Sequence, residues 1–210
     1  GLASGLASSI LISGEKFYSL FLILILLAAI LHSYSANYKK KLVVGNLIVS
    51  ASVAFAVFLP WLFELLYLSS NALILRAVEN SVFSVLPFVL LYTFFAFIMT
   101  LMREIIKDAE DFQGDLVTRC RTIPIVFGIK KMNIILIVLG LLTWIFLLYF
   151  QIVLYRIQSY VTLAFMFCLW NSVPFLMFLL MQNKSEVNYH RFSVFLKIMM
   201  LIGVLSMFFI

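Results

Sequence analysis

The chain has 210 residues, of which 65% are hydrophobic and only 11% charged, with a formal net charge of +6. So few charges over so much apolar sequence exclude a water-soluble globular domain and place the chain in a bilayer. The positive balance then has a topological meaning, and no nucleic acid is expected as a partner.

Residues 1–12, GLASGLASSILI, carry neither an initiator Met nor the charge pattern of a signal peptide. They read as the tail of another span, with Gly1, Ala3, Gly5 and Ala7 as small residues suited to close helix packing. The chain is therefore expected to lack an N-terminal portion. Ser13-Gly14-Glu15-Lys16 then makes a short turn. Six apolar stretches follow, at 17–35, 42–63, 82–102, 132–154, 160–181 and 192–210. Each is close to the roughly 20 residues needed to cross a hydrocarbon core of about 30 Å. The expected fold class is all-α, a polytopic transmembrane helical bundle of six full spans plus part of a seventh. With no Pro/Gly/Ser-rich linker and no fixed-period repeat, residues 1–210 read as a single membrane-embedded domain.

The loops around 36–41, 103–131 and 182–191 hold eleven of the fifteen Lys and Arg residues. The alternate loops hold only Lys16, Arg76 and Arg156, and Lys197 lies within the last span. This alternation puts the basic loops on the cytoplasmic side of the membrane. Segment 64–81 reads as the longest loop on the other side, with Glu64, Arg76 and Glu79 as solvated charges.

All three aspartates of the chain, Asp108, Asp111 and Asp115, fall within eight positions at the end of an apolar span. On a helix turning about 100° per residue they share one face with Glu104 within roughly 60°, while Glu110 points away. Carboxylates on one stripe repel each other, and a helix C-terminus disfavours negative charge. A divalent cation relieves that repulsion, and Mg²⁺ prefers carboxylate and phosphate oxygens. A solvated acidic loop neutralised by Arg103, Lys107, Arg119 and Arg121 satisfies the same pattern, so spacing alone leaves both readings open.

Two basic elements share that side of the membrane. One is Tyr34-Ser35-Ala36-Asn37-Tyr38-Lys39-Lys40-Lys41 with Gly45-Asn46 following; the other is Arg119-Cys120-Arg121-Thr122-Ile123-Pro124 leading to Gly128 and Lys130-Lys131. Carboxylates that hold a metal beside Lys and Arg that hold an anion suit a phosphate-bearing ligand with a greasy tail. Taken alone, Lys39 to Lys41 also read as a topology anchor in contact with anionic lipid. Cys120 and Cys168 fall in a loop and a span, so no disulfide is expected. His32 and His190 are isolated in the sequence and read as hydrogen-bonded structural residues. Asn171, near Pro174, is expected to bond a neighbouring helix.

The string Arg103-Glu104-(x)₃-Asp108-(x)₂-Asp111-(x)₂-Gly114-Asp115, then Arg121-Thr122-Ile123-Pro124 and Gly128, resembles the second aspartate-rich motif of UbiA-type intramembrane prenyltransferases. The Tyr34 to Asn46 segment is similar to that family's basic motif. The family's first motif, an Asn-Asp followed by two further Asp, does not occur in this chain, which fits the expected N-terminal loss from a nine-span parent. The resemblance implies transfer of a prenyl group from an allylic prenyl diphosphate to a lipid or aromatic acceptor. It implies Asp108, Asp111 and Asp115 as catalytic metal ligands for Mg²⁺ with Glu104 in support. It also implies Tyr34, Lys39, Lys40, Lys107 and Arg121 as diphosphate-binding residues. The Lys-Lys…Gly-Asn segment and the Arg-Thr-Ile-Pro ending look most like the subgroup that transfers geranylgeranyl to geranylgeranylglyceryl phosphate, which implies an ether-lipid product.

Quinone-pathway and haem O-pathway enzymes with aromatic acceptors are the alternative within the family. Outside it stand a secondary transporter, whose ionisable groups lie nearer the midplane, and a non-catalytic polytopic protein. CDP-alcohol phosphotransferases require an aspartate upstream of Asp108, and there is none. The implied location is a prokaryotic cytoplasmic membrane, with the site facing the cytoplasm among membrane lipids. The 210 residues by themselves are expected to be inactive.

Overall fold

A computed structural model describes residues 21–23, 25, 28–29, 43–69, 72–118, 120–182 and 189–209. The fold is a polytopic helical bundle: α1 (Val44–Leu68), α2 (Ala72–Glu110), α3 (Phe112–Val117), α4 (Ile123–Ile157), α5 (Tyr160–Gln182) and α6 (Tyr189–Ser206), closed by a 3₁₀ turn at Met207–Phe209. Five of these helices are long and apolar enough to cross a membrane, and among the described residues none forms a strand. They match the last five of the six expected spans. The expected span 17–35 is described only at scattered helical positions, and residues 1–12 lie outside the described residues.

Helix α2 organises the bundle, packing against α1, α4 and α6, while α5 packs on α4 and α6. Its buried residues include Phe95, Ile98, Met99, Met102, Ile105, Ile106 and Ala109 at three- and four-residue intervals, the spacing of a helical face, and between Ile98 and Met102 every residue is buried. Leu136, Leu147 and Phe150 of α4, Leu169 and Leu176 of α5, and Leu196 and Met199 of α6 complete the same core. Tyr92 Oη lies 2.8 Å from Ser206 Oγ in a buried bond between α2 and α6. In lipid, such a pair satisfies two polar groups at once. Helix α1 buries Gly45, Ser50 and Ala54 along with Leu68, and small residues such as the first three let two backbones approach closely.

The boundaries differ from those read in the sequence. Segment 64–81 is not a long loop: α1 runs to Leu68 and α2 starts at Ala72. Hydropathy registers only the part of a helix that lies in hydrocarbon. At 1.5 Å per residue a 39-residue helix is about 58 Å long and projects well beyond a core of about 30 Å. The loop 103–131 is likewise mostly helical, in three pieces. Helix α2 ends at Glu110, α3 follows, and α4 begins at Ile123 behind Thr122, with Pro124 in its first turn, where the missing N–H of proline costs nothing. Gly128, at φ 78° and ψ 158°, interrupts α4 five residues later. A side chain at that position would be strained, so the glycine permits the offset between the first turn of α4 and its long membrane segment. Asn171 corrects another expectation. Its Nδ2 donates to Phe167 O at 2.8 Å, four residues back in its own helix, not to a neighbour.

Candidate functional site

The C-terminal end of α2 opens onto a cavity of about 680 Å³. Its wall includes Val43, Gly45 and Asn46 at the start of α1, Glu104, Lys107, Asp108, Glu110 and Asp111 on and just past α2, and Gly114, Asp115 and Thr118 around α3. Cys120, Arg121 and Thr122 ahead of α4 close it. Of the residues expected at a site, Glu104, Lys107, Asp108, Asp111, Asp115 and Arg121 are thus brought to one cavity. Tyr34, Lys39 and Lys40 lie outside the described residues.

The acidic stripe is not carried by one continuous helix. Asp111 stands at the break between α2 and α3, and as the residue ahead of α3 it has φ −88° and ψ 8°. The chain holds its course across the break because Asp111 N–H donates to Lys107 O at 2.9 Å and Asp115 N–H to Asp111 O at 3.0 Å. After α3, the Cys120 N–H returns to Asp115 O at 3.0 Å, and Thr118 Oγ1 lies 3.2 Å from Cys120 Sγ. These bonds fold the segment back over the cavity before α4 begins. Cys120 and Cys168 are both free.

Asp108 is partly buried, as is Asp115, and flanks the buried face of α2 between Ile105 and Ala109. Its Oδ2 accepts a 2.8 Å hydrogen bond from Asn46 Nδ2 at the start of α1. The negative charges of Asp115 and Glu104 act on it, and the Lys107 ammonium partly offsets them. Glu104 in turn lies 3.9 Å from Arg103. Asp111 is exposed at the cavity mouth, as are Lys107 and Arg121.

One residue was assigned wrongly from the sequence. Glu110 does not point away; it lines the cavity. Its Oε1 is 2.7 Å from His190 Nδ1 at the start of α6, in keeping with His190 as a hydrogen-bonded structural residue. A helical wheel drawn through residue 115 misplaces Glu110 because α2 stops there and the cavity wraps around its end. Asn46, read only as part of a basic motif, turns out to touch Asp108. The adjacency of Gly45-Asn46 to that motif was the one available signal.

The donor set is all hard oxygen, the type that divalent cations such as Mg²⁺ select. Among the described residues, no three of His, Cys, Asp or Glu converge to hold an ion between them. Mg²⁺ does not require such a cage, since it binds through one or two carboxylates and completes its shell with water and phosphate oxygens. The residues fit a cation shared with an anionic ligand better than a closed structural site.

These features define an integral membrane helical bundle with an acidic, cation-compatible cavity at one end, rimmed by basic side chains. The chain is similar to digeranylgeranylglyceryl phosphate synthases of archaea. It is 40% identical over 115 residues to that of Methanosphaera stadtmanae, covering 54% of this chain and 41% of the relative. Identity is 32% over 127 residues to that of Saccharolobus solfataricus, covering 60% and 38%. It is 27% over 190 residues to that of Korarchaeum cryptofilum, covering 89% and 60%. The resemblance read from the motifs is thus borne out as similarity to that subgroup. The chain matches about two fifths of the length of the first two relatives. No family model and no solved structure matches it.

Proposed function

We propose that this chain forms part of a membrane prenyltransferase that moves a geranylgeranyl group from its diphosphate to the hydroxyl of geranylgeranylglyceryl phosphate. The observation that carries the reading is the joint placement of Glu104, Asp108, Asp111, Asp115, Lys107 and Arg121 around one cavity, in a chain similar to enzymes of that name. In the reaction the allylic C–O bond to diphosphate breaks, the acceptor oxygen bonds to the same carbon, and the hydroxyl proton is released.

Asp108, Asp111 and Asp115, with Glu104 in support, would hold Mg²⁺, which supplies positive charge to the diphosphate oxygens as the leaving group departs. Lys107 and Arg121 stand at the mouth as donors to the same oxygens, where charge develops during bond cleavage. Asn46 fixes one oxygen of Asp108. The apolar helices behind the cavity keep water from the allylic carbon, whose cation water would otherwise trap. The positive-inside pattern supports a cytoplasmic position for the cavity.

The test is Mg²⁺-dependent transfer from geranylgeranyl diphosphate by the full-length protein and by Asp111→Asn. Loss of turnover of about a hundredfold or more is expected for the variant, the scale on which removing a charge-stabilising group acts. Unchanged turnover would remove Asp111 from the clamp. Ion flux coupled to a substrate, with no diphosphate released, would replace the reading with transport.

A further inference from the structure

We infer that Asn46 is a positioning residue of the acidic cavity: its amide holds one oxygen of Asp108 and so presents the other to the cation. The inference rests on the reading of the cavity given under Proposed function and adds a residue to it.

Three observations carry it. Asn46 Nδ2 donates to Asp108 Oδ2 at 2.8 Å across 62 residues of sequence, and both residues are partly buried on the cavity wall. The place of Asn46 is itself fixed. Val43, just before α1, has φ 60° and packs against the hydrophobic core, and Gly45 is buried. With φ 60° and ψ −37°, Val43 takes a backbone conformation that a β-branched residue rarely adopts, so the surrounding packing holds this start of α1 in place. Finally, the chemistry of an amide suits the task. A Lys or Arg at position 46 would neutralise Asp108, whereas an amide N–H fixes the carboxylate plane and leaves its full charge for a metal. A partner bonded to a metal ligand in this way sets the ligand's orientation, and its loss typically lowers metal affinity 10–100-fold.

The experiment uses the full-length protein in detergent, with Mn²⁺ as the probe, bound-ion affinity read by electron paramagnetic resonance and folding read by thermal melting of the metal-free protein. Asn46→Ala is expected to weaken Mn²⁺ binding about tenfold or more with little change in metal-free melting. In an Asp108→Asn background the same change should have no further effect, because Asn46 acts only through that carboxylate. Equal losses in both backgrounds, or an unchanged affinity in the single variant, would overturn the assignment. Should Asn46→Ala fail to fold, Asn46→Ser, which fits a helix but shortens the donor, is read by the same comparison. If Asp108→Asn binds Mn²⁺ normally while Asp111→Asn and Asp115→Asn do not, the positioning role is lost and the cavity reading survives. Absence of Mn²⁺ binding by the unmodified protein overturns both.

Discussion

His190 Nδ1 sits 2.7 Å from Glu110 Oε1, tying the first turn of α6 to the last residue of α2 at the rim of the acidic cavity. The two side chains are 69% and 34% exposed, so water screens their attraction. His190→Ala is accordingly expected to lower stability by no more than about 1 kcal/mol. Thermal melting in micelles checks this. A much larger loss would mean that the docking of α6, and not the pair alone, depends on the histidine.

Two glycines of the bundle should answer differently to the same added methyl group. A Cβ on Gly203 of α6 would lie 2.8 Å from Phe95 Cε1, the edge of a buried ring of α2. A Cβ on Gly140 of α4 would meet Met177 Cγ at 3.0 Å, and a methionine chain has the rotamer freedom to move aside. Gly203→Ala should therefore cost about 1–3 kcal/mol from overpacking, reduced by the better helix propensity of alanine. Gly140→Ala should be near neutral. Equal melting temperatures for the two variants would contradict the close packing of α6 on α2.

The cavity lies at the end of the α1–α2 hairpin opposite Leu68 and Ala72, since Asn46 at the start of α1 meets Asp108 near the end of α2. Along α1, the shorter arm, about 22 helical residues or roughly 33 Å separate Asn46 from Leu68, enough to cross the hydrocarbon core. A reporter fused near residue 115 should be cytoplasmic, and one near residue 70 extracytoplasmic. Labelling both from the same side would refute the hairpin as a membrane crossing.

Lys107→Ala and Arg121→Ala test the basic rim of the cavity. Hydrogen bonds to charged groups contribute about 1.5–3 kcal/mol, so each variant should lower kcat/KM for the prenyl diphosphate about tenfold or more. Donors that contact the diphosphate equally before and during bond cleavage would show the loss mainly in KM, and donors matched to the leaving group mainly in kcat. Unaltered kinetics in both variants would place the diphosphate elsewhere.

Much of the membrane architecture was legible because apolar runs near 20 residues have few other stable uses. The spans at 42–63, 82–102, 132–154, 160–181 and 192–210 all reappear as helices, yet their ends were misread. Backbone hydrogen bonding carries α2 through Glu79 and Arg76 at one end and through Arg103, Lys107 and Asp108 at the other, where hydropathy has already fallen. The acidic residues were legible as a group because their spacing follows the helical repeat. Glu110 and His190 were not, because their pairing depends on where α2 stops and on the approach of α6.

The sequence by itself determined that the chain belongs in a membrane, where five helices long and apolar enough to cross it lie, and that its aspartates gather at one end of a span, since hydrophobic run length and helical period are local properties. Only the tertiary structure decided which groups meet: Asn46 with Asp108, His190 with Glu110, and Arg121 on the wall of the same cavity as the aspartates. Those meetings depend on the register of α1 and α6 against α2. Side-chain packing among buried residues far apart in the chain sets that register, and no local pattern records it.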